Sequence, residues 1–331
     1  MNKLLPRFML VTQLKFNSVS YKVVEPLILE GGNTLQDLRV HYTTYGELNA
    51  ERSNVVWVFH ALTGSSDPME WWEGLINGNG FIDPEKHFIV CANMIGSCYG
   101  STAPDDFDFP LVSISDIVRG FKYLKDHLEI DSIHLGIGGS MGGQVLLEWA
   151  VQEPNLFETV VPIATNAVHS PWAIAFNETQ RMALRLDPEK GIETARAIGM
   201  LSYRHYETYD ATQNDGDGRI ENFSASSYQV YQGEKLNVRF SPYSYYSLSR
   251  TMDSHNLGRH FQSIGNALGR IESKVVAIGI DTDILFPYQE QKLIADFTKN
   301  GSYHQVTSKY GHDGFLIETD QINEILSREL S

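Results

Sequence analysis

The sequence predicts an α/β fold: a mostly parallel sheet with helices on both faces, interrupted by a largely helical insertion. Three observations lead there. Residues 55–59 (VVWVF) and 88–91 (FIVC) are short unbroken apolar runs, as strands buried on both faces of a parallel sheet require. Segments of helical period alternate with such runs up to about residue 165 and again from about 265, the signature of successive βα units. Over 166–264 that alternation lapses. The chain's 331 residues also exceed the roughly 250 at which single cores usually stop growing. Residues 1–165 and 265–331 are therefore assigned to the core and 166–264 to the insertion.

In chain order, residues 1–16 carry a broken apolar run interrupted by Pro6, Arg7, Gln13 and Lys15, with no small-residue cleavage site, and read as an ordinary N-terminus. Residues 21–48 alternate apolar and polar positions around Gly31, Gly32 and Asn33, which predicts an antiparallel hairpin. After the strands at 55–59 and 88–91, Ser115 is the expected cap of a helix with Asp116 in its first turn and apolar positions at Ile117, Val118, Phe121, Leu124 and Leu128. A strand at 133–137, a helix at 141–151 and a strand at 160–163 complete the first half. Within the insertion, Asp187 and Pro188 start a helix running to about Tyr203, and eight of the 16 tyrosines fall in 201–250. The sheet resumes at 275–280 and 303–307, and a helix over about 319–330 closes the chain.

Composition excludes several classes. With 41 acidic against 26 basic residues and a net charge of -15, the chain lacks the clustered cations that nucleic acid binding needs. No stretch approaches the roughly 18 apolar residues of a membrane span. Two cysteines, Cys91 and Cys98, are too few for a disulfide framework, so a reducing, cytoplasmic location is expected and no metal site is predicted.

Gly138-Gly139-Ser140-Met141-Gly142 follows a strand and leads directly into a helix, which is G-x-S-x-G in the context that makes it a nucleophile elbow. The turn exposes the Ser140 Oγ, and the Met141 N–H at the helix start can face a developing oxyanion. A nucleophilic serine needs a base, and the base an orienting acid. In enzymes built on this elbow the order along the chain is serine, acid, histidine. His312, between the last strand and last helix, satisfies that order. Asp281 and Asp283 both follow the strand at 275–280, and spacing does not separate them. A second oxyanion donor is expected from the loop His60–Gly64, with the Leu62 N–H as candidate.

Three segments imitate sites. Gly96-Ser97-Cys98-Tyr99-Gly100 spells a cysteine elbow, but no amphipathic helix follows, so it reads as a structural loop. Residues 214–220 imitate a calcium loop yet place Gln213 and Ser224 where carboxylates are required. Tyr243, Tyr245 and Tyr246 read as packing.

The segments TYGELN, FHALTG, CANMIGSCYGST, GGSMGGQVLLEWA, FNETQRMAL, YQGEKLNVRF, MDSHNLGR, DILFP and GHDGFLIE run in order across about residues 25–320 and closely resemble the homoserine O-acetyltransferases. The resemblance implies an α/β-hydrolase fold with a lid, and acetyl transfer from acetyl-CoA to L-homoserine in methionine biosynthesis, with no bound cofactor. It implies an acyl-Ser140 intermediate, Asp283 (through DILFP) as the acid beside His312, Arg181 and Asp313 as binders of the amino-acid acceptor, and a homodimer formed through the insertion. Similar proteins use succinyl-CoA or accept serine, and a hydrolase would share the triad.

Overall fold

A computed structural model describes residues 16–76 and 80–330; the reading of residues 1–15 lies outside them. The strands are β1 (Phe16–Lys22), β2 (Leu27–Ile28), β3 (Thr34–Leu35), β4 (Arg39–Tyr45), β5 (Val55–Phe59), β6 (Phe88–Ala92), β7 (Ile133–Gly139), β8 (Phe157–Ile163), β9 (Lys274–Ile280) and β10 (Asn300–Val306). Eight of them form one sheet in the order β1-β4-β6-β5-β7-β8-β9-β10. From β6 to β10 all neighbours are parallel, while β4 runs against both β1 and β6.

The predicted hairpin is smaller than expected. β2 and β3 pair over two residues each around the Gly31–Asn33 turn, while the long run at 39–45 pairs with β1. The sheet edge offers β4 seven partners, so the ladder with β1 wins over the local turn.

Alternation along the strands divides the core in two. Val55, Trp57 and Phe59 face one side with Val275 and Ala277, and Val56 and Val58 face the other with Val276 and Ile278. Helices cover both sides. Short α1 (Pro68–Trp71) follows β5, and α2 (Ile114–His127) and α3 (Met141–Gln152) follow β6 and β7. Leu124 of α2 and Val145 of α3 pack in the first layer. The cap of α2 is Ser113, not Ser115. Ser113 Oγ accepts from the Asp116 N–H at 3.2 Å and Asp116 Oδ2 from the Ser113 N–H at 2.9 Å. That reciprocal box needs the acid three residues after the cap, a spacing Ser115 lacks.

Between β8 and β9 the chain adds no strand to the large sheet. It forms α4 (Pro171–Leu186), α5 (Pro188–Tyr203), α6 (Tyr206–Gln213), α7 (Ser224–Asn237), α8 (Pro242–Asp253) and short α9 (Ile264–Leu268). Asp187 caps α5 as expected. The chain closes with α10 (Tyr288–Phe297), a 3₁₀ turn at Gly311–Asp313, α11 (Gly314–Ile317) and α12 (Thr319–Leu330). Ile322 and Leu326 of α12 complete the second layer.

Candidate active site

Four loops meet at the carboxyl ends of parallel strands, where α/β sheets gather their chemistry. Ser140 follows β7 with φ 56° and ψ -126°, a conformation that costs an L residue on the order of 1–3 kcal/mol. Its neighbours hold it there. The Ser140 N–H donates to Ile163 O at 2.9 Å, and Thr165 Oγ1 donates to Ser140 O at 2.7 Å. Gly138 and Gly142 make the turn possible: a Cβ on the first would lie 2.7 Å from the Gly142 backbone, and on the second 2.2 Å from Phe59 O.

His312 and Asp283 come together at the ends of β10 and β9. His312 Nδ1 donates to Asp283 Oδ2 at 2.7 Å, with both side chains buried. The other carboxylate oxygen of Asp283 accepts the N–H groups of Leu285 at 2.8 Å and Phe286 at 2.9 Å. Asp281 faces away and accepts the Ser308 N–H at 2.9 Å. Burial opposes protonation of His312, but the charge and hydrogen bond of Asp283, with the charge of Asp313, hold its pKa above the ordinary value.

On the opposite side lies the loop after β5. His60 is buried and pushed down to about 4 by burial, so it is neutral. Its Nε2 accepts the Met94 N–H at 3.0 Å, which leaves Nδ1 to donate to Ala61 O at 2.8 Å. Among the described residues, the N–H groups of Leu62 and Met141 have no protein acceptor.

Ser140, His312, Asp313 and the 61–64 loop line one cavity of about 160 Å³, roofed by residues of the segment after β8. Tyr203, Phe286 and Phe315 surround the imidazole with ring centroids at 5.9, 5.2 and 5.3 Å. Asp313 pairs with Arg204 Nε at 2.8 Å as a charge contact without hydrogen-bond alignment. Burial holds its carboxyl above the usual range against Arg204 and Arg196.

Arg181 is not among the residues lining this cavity. Buried on α4, its Nη2 donates to Asp253 Oδ2 at 2.6 Å, its Nε to Glu178 Oε2 at 2.9 Å and its Nη1 to Ser249 Oγ at 3.3 Å. The expectation that it clamps an acceptor is corrected: its donors are consumed between α4 and α8. The arginines that do line the cavity are Arg196 and Arg239. Among the described residues no carboxylate lies within ion-pair distance of Arg196; its guanidinium sits 5.4 Å from the Tyr203 ring. A sequence signal existed, since Arg196 stands four residues from both Ile192 and Met200, inside the buried stripe of α5.

The imitations resolve locally. The Gly96–Gly100 loop closes through Gly96 N–H on Thr102 O at 2.8 Å, and Tyr245 is buried with its hydroxyl donating to Gln180 at 2.5 Å. In the 214–220 turn, Asp215 accepts the Ser224 N–H at 2.8 Å. Among the described residues no group of three His, Cys, Asp or Glu is arranged to hold a metal ion, and no helix is long and apolar enough to cross a membrane.

A family model for the alpha/beta hydrolase fold matches residues 54–319. A homoserine O-acetyltransferase of Cyclobacterium marinum is 48% identical over 322 residues, covering 91% of this chain and 92% of that one. The chain belongs to the homoserine O-acetyltransferase family. Another member, from Trichormus variabilis, is 37% identical over 92% of each chain. The crystal structure of homoserine O-acetyltransferase from Staphylococcus aureus superimposes with a TM-score of 0.85 at 28% identity, over 96% of both chains. The family's fold is thus the one built here, with the elbow serine and the buried histidine opening on a single cavity.

Proposed function

We propose that the protein transfers an acetyl group from acetyl-CoA to the hydroxyl of L-homoserine through an acetyl-Ser140 intermediate, a step of methionine biosynthesis. His312 takes the Ser140 proton as Oγ attacks the thioester carbonyl. Asp283 holds the imidazole with Nδ1 protonated, leaving the other nitrogen free to act as base. The oxyanion is bound by the N–H groups of Leu62 and Met141, the latter at the positive end of α3. Collapse expels CoA as its thiolate, which receives the proton from His312. Homoserine's hydroxyl then gives its proton to His312 and attacks the acetyl carbon, and Ser140 leaves and is reprotonated.

The observation that carries this reading is the pair of opposite charges in the nucleophile's own cavity. Arg196, with no carboxylate partner among the described residues, suits the carboxylate of an amino acid, and half-buried Asp313, beside His312 and paired with Arg204, suits its ammonium. A hydrolase would need neither, since water carries no charge to orient.

Intact-mass measurement after mixing with acetyl-CoA alone tests the first half: the parent gains one acetyl group and Ser140→Ala gains none. An acetyl on Cys98 instead would sink the assignment. CoA release measured with and without homoserine, and with succinyl-CoA in place of acetyl-CoA, tests acceptor and donor. Sustained release over many turnovers without homoserine, beyond the single burst that acylation gives, would favour hydrolysis.

The same reading makes the segment 166–264 a lid and the protein a cytoplasmic homodimer. Its exposed apolar residues Ile220, Val230, Tyr231 and Val238 support pairing through that segment, and the free thiols Cys91 and Cys98 suit a reducing compartment. Light scattering of the parent and of Val230→Glu tests the dimer: a parent that scatters as a monomer refutes it.

A further inference from the structure

Arg239, just past the end of α7, meets the loop that carries Leu62. Its Nη1 donates to Thr63 O at 2.7 Å and to Tyr99 Oη at 2.9 Å, and its Nη2 reaches Thr63 Oγ1 at 3.4 Å. The Gly64 N–H, on the same peptide unit as Thr63 O, donates to Ala61 O at 2.9 Å. Ala61 O in turn belongs to the peptide unit whose N–H is that of Leu62. In a trans peptide the C=O and N–H point in opposite directions. Cation, peptide, peptide and free N–H therefore form one line of head-to-tail dipoles. Each bond in such a chain polarises the next, and a charge-assisted bond at the head is about twice as strong as a neutral one.

From this line, and resting on the acyl-serine reading of the site, we infer that Arg239 is a positioning residue for acylation: it aims and polarises the Leu62 N–H that receives the oxyanion. His60 secures the same carbonyl from the core side, since its Nδ1 also donates to Ala61 O. The Ala61–Leu62 peptide plane is thereby held by two donors, and its N–H can point only away from them. The Gly96–Gly100 loop acquires a task as well. It carries Tyr99, whose hydroxyl seats the guanidinium and whose ring stacks edge-on against Phe240, with centroids 5.6 Å apart. The helical segment thus reaches the oxyanion site through one side chain, so that acylation is best supported when that segment is seated on the core.

The test is single-turnover acylation of Ser140 by saturating acetyl-CoA in the parent, Arg239→Ala, Arg239→Gln and Arg239→Lys. Removing a whole oxyanion donor costs about 10²–10³ in rate, so losing its alignment and polarisation should slow acylation by about tenfold or more in Ala and Gln. Lys, which keeps the charge, should fall between. The apparent KM for acetyl-CoA should move by less than about threefold, because the carbonyl's ground state does not use the full oxyanion contact. Added ethylguanidinium should partly restore the Ala variant. An acetyl-like trifluoromethyl ketone, whose serine adduct bears an oxyanion, should weaken in step with the rate, a response that lost packing alone would not produce. Acylation within about twofold of the parent would overturn the inference, and a loss confined to KM would overturn it and make Arg239 a donor-binding residue. A parent that never carries acetyl on Ser140 would overturn the acyl-serine reading itself. Arg239 is exposed, so its replacement leaves the core intact, and a circular-dichroism melt of each variant verifies this.

Discussion

Arg181 donates to Asp253 across 2.6 Å, and this pair ties α4 to α8 above the catalytic cavity. Asp253 also accepts from Asn177 at 2.9 Å, a residue of the cavity wall, so the arginine shapes that wall from behind. Arg181→Ala should act on stability. Breaking a buried ion pair on one side costs about 3–5 kcal/mol. The Asp253 side chain keeps 19% of its surface exposed, which puts the expected loss near the lower bound, about 3 kcal/mol. Urea unfolding measures it, and a variant with parental stability would mean that Asp253 finds water instead.

Arg196→Ala should behave differently. Truncating one partner of a desolvated charge pair costs about 2–5 kcal/mol of binding; the truncated partner is Arg196, and on the proposed reading the one left behind is the acceptor carboxylate. The burst of CoA release on mixing with acetyl-CoA should stay near the parental rate, while decay of the acyl-enzyme on adding homoserine slows. Lysine should rescue poorly, because a point charge lacks the two-pronged fit. Equal loss in both phases would assign Arg196 to lid packing.

Asp283→Asn should lower turnover by about 10³–10⁴, the scale seen when a triad imidazole loses its orienting carboxylate. Asp281→Asn replaces the charged acceptor of the Ser308 N–H by a neutral amide oxygen and should cost less than about tenfold, through the loop alone. Steady-state turnover of the two variants ranks them; the reverse order would exchange the roles.

The elbow was legible in the sequence because strand, glycine turn and helix are consecutive, and local chemistry dictates each. His312 was legible for the same reason, since it sits in a short link between a strand and a helix. Asp281 and Asp283 were not separable from spacing: both leave β9 at the same end, and only the loop from β10, which returns Ser308 to one and His312 to the other, distinguishes them. Arg181 and Arg196 lie on neighbouring antiparallel helices, where a rotation of each helix decides which guanidinium faces the cavity. That rotation is set by long-range partners, Asp253 above all, which the local pattern around residue 181 does not contain.

The cap of α2 offers a test confined to stability. Ser113→Ala removes the acceptor of the Asp116 N–H and should cost about 1 kcal/mol. Ser115 accepts instead from Gln152 Nε2 at 2.9 Å on neighbouring α3, and Ser115→Ala should cost about 0.5 kcal/mol. Denaturant midpoints compare them, and a larger loss at Ser115 would contradict the capping box.

The pH dependence of acylation follows from the surroundings of His312. The imidazole must be neutral to accept the Ser140 proton, so the rate rises with pH through its pKa. Burial disfavours the charged ring, but Asp283 and Asp313 outweigh it, and the midpoint should lie above the ordinary 6.5. In Asp283→Asn the larger opposing influence is gone while burial remains, so the midpoint should move to lower pH even as the plateau falls. Glu290, pushed up to about 7 by burial, titrates in the same range; Glu290→Gln should leave the midpoint in place and identify the titration as that of His312. Stability runs the other way. A histidine whose pKa is raised on folding contributes most below its unfolded pKa, and the contribution is lost as pH rises through the folded value. The melting difference between the parent and His312→Asn should therefore shrink over the same pH interval in which acylation grows. Single-turnover rates and thermal melts from pH 5 to 9, roughly spanning the titration of a shifted imidazole, test both halves. A midpoint below 6.5 in the parent, or one that Asp283→Asn leaves unmoved, would show that Asp283 does not hold the proton on His312.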